Sequence, residues 1–319
     1  MIRRLIAVLA CALPIAAAAQ PYPGKPIRMV IPLAAASAVD NAARIVTQKM
    51  AANMGQSFVI ENVPGAAGLI GTRQVATAAP DGYTLGGFND SIMTMLPNLH
   101  ANPGYDILKD FEPVSLVATI EWGLVANNDS HLRSAADLIA AAKAKPGDVN
   151  YGSGGNGSPQ HVAMALFASQ AGITMTHVPY KGASQAALGV AAGDVPVAMQ
   201  GLATVAGLAR GGKLKLIGLA ASTPNPQFPG VPTIAESGLP GYEADEWFGA
   251  FAPASTPRNI LQKLNTNTRD ILVTPDAQQQ FAGLGAEFVD MNVREFADFV
   301  KKQIAKWANV VKDANIQTE

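Results

Sequence analysis

Cysteine is almost absent from this 319-residue chain: the only one is Cys11, inside an apolar N-terminal stretch. A disulfide framework, a cysteine-ligated zinc site and thiol catalysis are therefore excluded for the rest of the chain. Histidine is scarce too. His100, His131, His161 and His177 show neither H-E-x-x-H nor any other metal-ligand spacing. Charged residues make up 15% of the chain and form no run of one sign, so nucleic acid is not expected as a partner. Beyond the first twenty residues, no apolar stretch is long enough to span a bilayer.

What is present begins with a leader. Arg3 and Arg4 precede the apolar run Leu5 to Ile15, and Ala16 to Ala19 offers an A-x-A site before Gln20. That pattern predicts a signal peptide over 1–19 and an exported, periplasmic product. The net charge is −1, and losing Arg3 and Arg4 with a leader that has no acids leaves −3. The remaining 300 or so residues can bury a large core without cross-links.

The pattern along the chain alternates. "KPIRMVIPL" (25–33) reads as a buried strand, and Val39, Ala43, Val46 and Met50 recur at helical spacing up to a C-capping Gly55. Strand "SFVIEN", loop "VPGAAG", helix "LIGTRQVATAA" and strand "YTLGG" follow. A second block contains strands "VSLVATI", "GLVAN", "DVNY", "ITMTHVPY", "VPVAMQG" and "LKLIGLA", with helices between several of them. The Pro- and Gly-rich stretch 222–247 reads as a return linker, and helices begin near Thr256-Pro257 and Asn292. Strand–helix alternation of this kind is the grammar of a parallel α/β sheet. Two such blocks predict two domains.

Open α/β sheets bind ligands at the carboxyl ends of their strands. Two loops there are almost free of large side chains. "PLAAASAVD" (32–40) follows the first strand, and "NYGSGGNGSP" (150–159) precedes a helix that Ser158 and Pro159 open as N-cap and N1. Gly152, Gly154 and Gly157 spell G-x-G-x-x-G, but export, and Tyr180-Lys181 where an acidic ribose ligand would stand, argue against a dinucleotide. Backbone N–H groups at helix N-termini bind anions, so each loop is a candidate carboxylate site. The expected contacts are Ala35, Ala36, Ser37 and Asp40 on the first loop. On the second they are Ser153, Gly154, Gly157 and Ser158. Asp40 could equally cap the loop from the first helical turn. Asn89 and Gln200 sit at other strand ends, and Trp247, like Trp122, stands at a presumed crossover where it could wall the ligand or pack the hinge. No catalytic residue, cofactor or metal is expected. A Ser158–His161 pair on one helix leaves a secreted hydrolase as an alternative, and a receptor that signals through a membrane partner as another.

The ordered set "YPGKPIRMVIPLAAASAVDNAAR", "VIENVPGAAGLIG", "VNYGSGGNGSPQHVAMALFASQAGI", "HVPYKG" and "FPGVPTIAESGLPGYEADEWFGAFAPASTP" resembles the Bug family. These are the extracytoplasmic solute receptors of tripartite tricarboxylate transporters. The resemblance implies a type II periplasmic binding protein fold: two α/β domains, two crossovers and an interdomain ligand cleft. It implies domain 1 at 20–121 plus 247–319 and domain 2 at 122–246, with the C-terminal helices returning to domain 1. It adds His161 to the contacts expected on the second loop. It further implies a small organic carboxylate as ligand (dicarboxylate, tricarboxylate, acidic amino acid or aromatic acid) and permease subunits as partners, without chemistry. One departure falls on the first loop. Where the family pattern is P-F-x-A-G-G-x-x-D, this chain has Leu33, and Ala36-Ser37 replace the glycine pair. If those glycines serve a positive φ, Ala36 is strained; if they serve closeness, new side-chain atoms enter the pocket.

Overall fold

A computed structural model describes residues 22–313 apart from 100, 101, 222 and 243. The leader and Cys11 lie outside the described residues. The first half-sheet forms as the apolar pattern dictates. β1 (Ile27–Ile31) is parallel to both β2 (Phe58–Asn62) and β3 (Thr84–Asn89). Helix α1 (Ala38–Met54) connects β1 to β2, and α2 (Leu69–Ala76) leads toward β3. Ser37 caps α1 by accepting from the Asp40 N–H, and Gly55 ends it at φ 67°, a left-handed residue that costs glycine little. After β3 come a π-helical turn (Ser91–Met95) and the short helices α3 (Leu96–Leu99) and α4 (Ile107–Asp110).

β4 (Phe111–Asn127) is the spine of the molecule. The sequence pattern breaks at Glu121-Trp122 and suggests two strands, but the extended chain runs through without interruption. Its first part pairs antiparallel with β9 (Asp245–Pro253), from Phe111↔Pro253 to Glu121↔Asp245. From Trp122 onward it pairs with β7 (Val197–Gly201) and β8 (Leu214–Leu219). Continuous pairing along both parts keeps the strand extended where a local pattern shows a gap. The full order is β2-β1-β3-β9-β4-β7-β5-β6, with β8 and the short β10 (Ala286–Glu287) also on β4. The sheet is mixed and strongly curled. β5 (Asn150–Ser153), parallel to β6 (Thr176–Pro179) and β7, forms the second half, with helices α5 (Ala135–Ala144), α6 (Pro159–Ala171) and α7 (Ala183–Ala192).

Besides the π-helical turn, α3, α4 and β10, three elements escape the sequence pattern. α8 (Leu202–Arg210) is flanked by Gly201, Gly211 and Gly212, which disguise its helical spacing. β9 emerges from the supposed linker; it is buried on both faces, so it lacks alternation. α10 (Pro275–Gly283) is a short capped helix. The other two C-terminal helices, α9 (Arg258–Leu272) and α11 (Val293–Asp313), pack on the first half. Asn265 Nδ2 of α9 donates to the Val114 carbonyl at 2.9 Å, and Phe296 of α11 meets Trp247 and Phe251.

Candidate functional site

The β1–α1 loop is held from within. Asp40 is 1% exposed. Its Oδ2 accepts from the Ala36 N–H at 2.8 Å and from Arg44 Nε at 2.9 Å. Its Oδ1 accepts from Arg44 Nη2 and Asn62 Nδ2, each at 3.0 Å. Burial alone would raise the Asp40 pKa, but these bonds and the Arg44 charge outweigh it and hold the carboxyl below its usual range. Asp40 thus organises the loop from behind.

Ala36 adopts φ 59°, in the left-handed region. Ser37, the second departure from the family's glycine pair, is ordinary at φ −69°. Ala36→Gly is therefore expected to stabilise the protein by about 0.5–1 kcal/mol, relief of left-handed strain partly offset by a more flexible unfolded chain. A urea titration of both proteins checks the sign; a loss of stability would show that the alanine is unstrained.

The second loop is built on imidazoles. Ser158 caps α6 by accepting from the His161 N–H at 3.4 Å, and His161 Nδ1 accepts from the Gly157 N–H at 3.0 Å. The His161 ring stacks on His177 at 4.1 Å between centroids, 6° from parallel. His177 Nε2 meets Ser153 Oγ at 2.5 Å, and Ser153 Oγ also accepts from the Gly155 N–H. The stacked rings prop the glycine loop from below. The Ser158 hydroxyl does not bond the His161 ring, and fully buried Ser153 is not on the cavity wall. Among the described residues Ser158 thus has no imidazole partner, and Ser153, though paired with His177, lies away from the cavity.

Burial, with the neighbouring His161, lowers the His177 pKa to about 4. Between pH 6.5 and 4 the unfolded chain takes up a proton that the folded one refuses, so this contribution is complete above 6.5 and lost as pH falls. Because the ring is only half-buried, the expected loss is about 1–2 kcal/mol, read as the difference in urea stability between wild type and His177→Gln at pH 7 and pH 5. The difference is the right readout because Glu246, discussed below, titrates in the opposite sense.

A cavity of about 630 Å³ lies between the two loops, within the range of small-ligand sites. Of the sequence-derived positions, Ser37, Asn89, Gly154 and Ser158 line it. Ala35 and Ala36 are exposed and off the cavity wall, so of the loop's departures from the family pattern Leu33 and Ser37 border the cavity. Asp40, Ser153, Gly157 and His161 stand behind the two loops, off the cavity wall. Gln200 is buried, with Nε2 donating to the Ala183 carbonyl at 3.3 Å. Trp247 and Trp122, considered above as ligand walls, are 2% and 1% exposed and belong to the cores of the two halves. Trp247 packs at 5.6–6.2 Å from Phe251, Phe296 and Phe299.

Besides Gln160 and Thr204, the sequence reading misses three parts of the wall. Residues 64–68 carry positive φ at Gly65, Ala66, Ala67 and Gly68, a turn that looks like plain loop in the sequence. Residues 179–183 bring Lys181, an exposed cation. Glu246 of β9 is the third; in the sequence it is only the second of two acids, Asp245-Glu246, at the head of an apolar run. The walls also meet directly. Ser184 Oγ donates to the Ala35 carbonyl at 3.0 Å and Asn41 Nδ2 to the Ala203 carbonyl at 3.0 Å, each between opposite halves.

Two α/β halves sharing long antiparallel strands, with a cavity between facing strand-end loops, define a solute-binding protein of the periplasmic type. The chain belongs to the tripartite tricarboxylate transporter receptor family, whose model matches residues 42–316. It is 33% identical to Protein BugT of Bordetella pertussis over 97% of both chains. Among solved structures it is similar to Rpa4515 of R. palustris with adipate, at TM-score 0.90 and 31% identity, over 93% of this chain and 99% of that one. It is also similar to MatC of Rhodopseudomonas palustris with bound malate, at TM-score 0.86 and 30% identity, over 91% and 100%. Members of this family are periplasmic receptors.

Proposed function

We propose that this chain is exported, captures a small organic carboxylate in the cavity without chemical change, and delivers it to a tripartite tricarboxylate-type permease. The lobes that close are 20–121 plus 247–319 and 122–246, moving about the strands that cross between them. The observation that carries this reading is the pair of capped helices facing one cavity. Ser37 and Ser158 each accept from a backbone N–H of their own helix. Among the described residues, neither hydroxyl donates, so both protons can turn to an anion. The Gly154 backbone borders the same space, and Lys181 places a positive charge on its wall. The relatives with adipate and malate support a carboxylate as the ligand class.

Calorimetry on refolded, ligand-stripped protein against a panel of mono-, di- and tricarboxylates, acidic amino acids and aromatic acids tests this. Saturable binding of at least one acid with no turnover is the expected result. Silence across the panel would overturn the reading. Pull-down of permease subunits, as against a signalling kinase, tests delivery.

A further inference from the structure

One wall of the cavity carries a carboxyl that the anion-binding loops do not account for. Glu246 faces the cavity and is only 3% exposed. Asn89 Nδ2 donates to its Oε1 at 2.7 Å. The Asn89 Oδ1 accepts from the Ile92 N–H at 3.3 Å, which orients the amide so that its NH2 side meets the glutamate. Oε1 is thereby committed as an acceptor. Oε2 lies beside Gly201 of the opposite half, where an added Cβ would stand 2.9 Å from it. No protein hydrogen bond engages Oε2 among the described residues.

An ionised carboxylate here would repel the ligand class proposed above. Other titratable groups stand on the elements packed around it. Asp90, fully buried, directly follows β3, and Glu121 on β4 is next to Ile120, the register partner of Glu246, so its side chain leaves the opposite face of the sheet. On α1, Asp40 is already matched by Arg44. β7 and the start of α8 present Gly201 and Thr204, which do not titrate, and Lys181 stands on the cavity's β6–α7 loop. Burial, only partly offset by the Asn89 bond, raises the Glu246 pKa to about 7.

We propose that protonated Glu246 is the second anchor of a dicarboxylate. Its Oε2–H donates to the far carboxylate, while the near one sits against the loops at Ser37 and Ser158. The receptor then takes up the dianion together with one proton. This rests on the carboxylate-receptor reading and adds to it the ligand's class and its proton.

The test is calorimetry on the ligand-stripped protein with adipate and hexanoate at several values between about pH 6.5 and 8.5, where both probes are ionised. Buffers of different ionisation heat count the protons. Adipate affinity is expected to fall about tenfold per pH unit once Glu246 is ionised, with uptake approaching one proton per ligand, and hexanoate affinity to stay nearly level. Glu246→Gln, whose NH2 donates at every pH, is expected to bind adipate with a flat profile and more tightly than wild type at the alkaline end. Adipate binding that ignores pH and takes up no proton overturns this proposal alone. So does 6-aminohexanoate binding that tightens as pH rises, because it would set an ammonium against an ionised Glu246. No binding of either acid at any pH overturns the receptor reading as well. Should the glutamine variant not fold, proton uptake by the wild type decides.

Discussion

Replacing Trp247 with alanine is expected to cost about 3–5 kcal/mol of stability, the range for emptying a large aromatic site in a core. The indole is 2% exposed among Phe251, Phe296 and Phe299. It joins β9 to α11, so its removal loosens the attachment of the C-terminal helix to the first half-sheet. Trp247→Phe should behave differently. The indole Nε1 is buried and meets no acceptor among the described residues, so the phenylalanine gives up ring area but also removes an unsatisfied donor. Its expected cost is below about a third of the alanine value. Urea titrations of the three proteins check both numbers. A weak effect of the alanine on stability with a strong effect on affinity would instead make Trp247 a ligand contact.

The second large effect is expected at Asp40. Asp40→Ala removes the acceptor for four hydrogen bonds, from the Ala36 N–H, from Arg44 twice and from Asn62. The expected loss is about 2–4 kcal/mol, less than for a wholly buried ion pair because Arg44 is half-exposed. Ligand affinity should fall at least about tenfold as the loop loses its anchor, since the left-handed Ala36 is held by that carboxylate. Asp40→Asn, which keeps one acceptor oxygen, should recover part of the stability. The wild-type contribution is present above the ordinary aspartate pKa of 3.8 and lost as pH falls through the depressed folded value. Denaturation monitored at neutral and acid pH, with calorimetry on each variant, tests this. Unchanged affinity in a folded Asp40→Ala protein would mean that the loop keeps its shape unaided.

Much of the first half was legible because its signals are local. The N-cap at Ser37, the left-handed stop at Gly55 and the Ser158-Pro159 opening of α6 each depend on residues within a turn of one another. Runs of small side chains at strand ends located both loops, and the departure at Ala36 led to the one left-handed residue of the first. What stayed hidden was non-local. Trp247 at a crossover looks like a ligand wall until three phenylalanines surround it. His161 looks like a ligand contact until the Gly157 amide claims its Nδ1 and the His177 ring covers one face. The linker at 222–247 hides the start of β9, which declares itself only by pairing with β3 and β4.

By itself the sequence determined an α/β chain with a predicted export leader, two side-chain-poor loops at strand ends and a resemblance to solute receptors. Hydrophobic period and capping chemistry act within one turn or one strand, and they are written residue by residue. Only the tertiary structure decided what borders the cavity. Long-range strand pairing sets Glu246 against Asn89, 157 positions away in the chain, and turns Asp40 and the histidines behind the loops they support. Which face of a loop meets a ligand depends on what packs against its other face, and that partner comes from elsewhere in the chain.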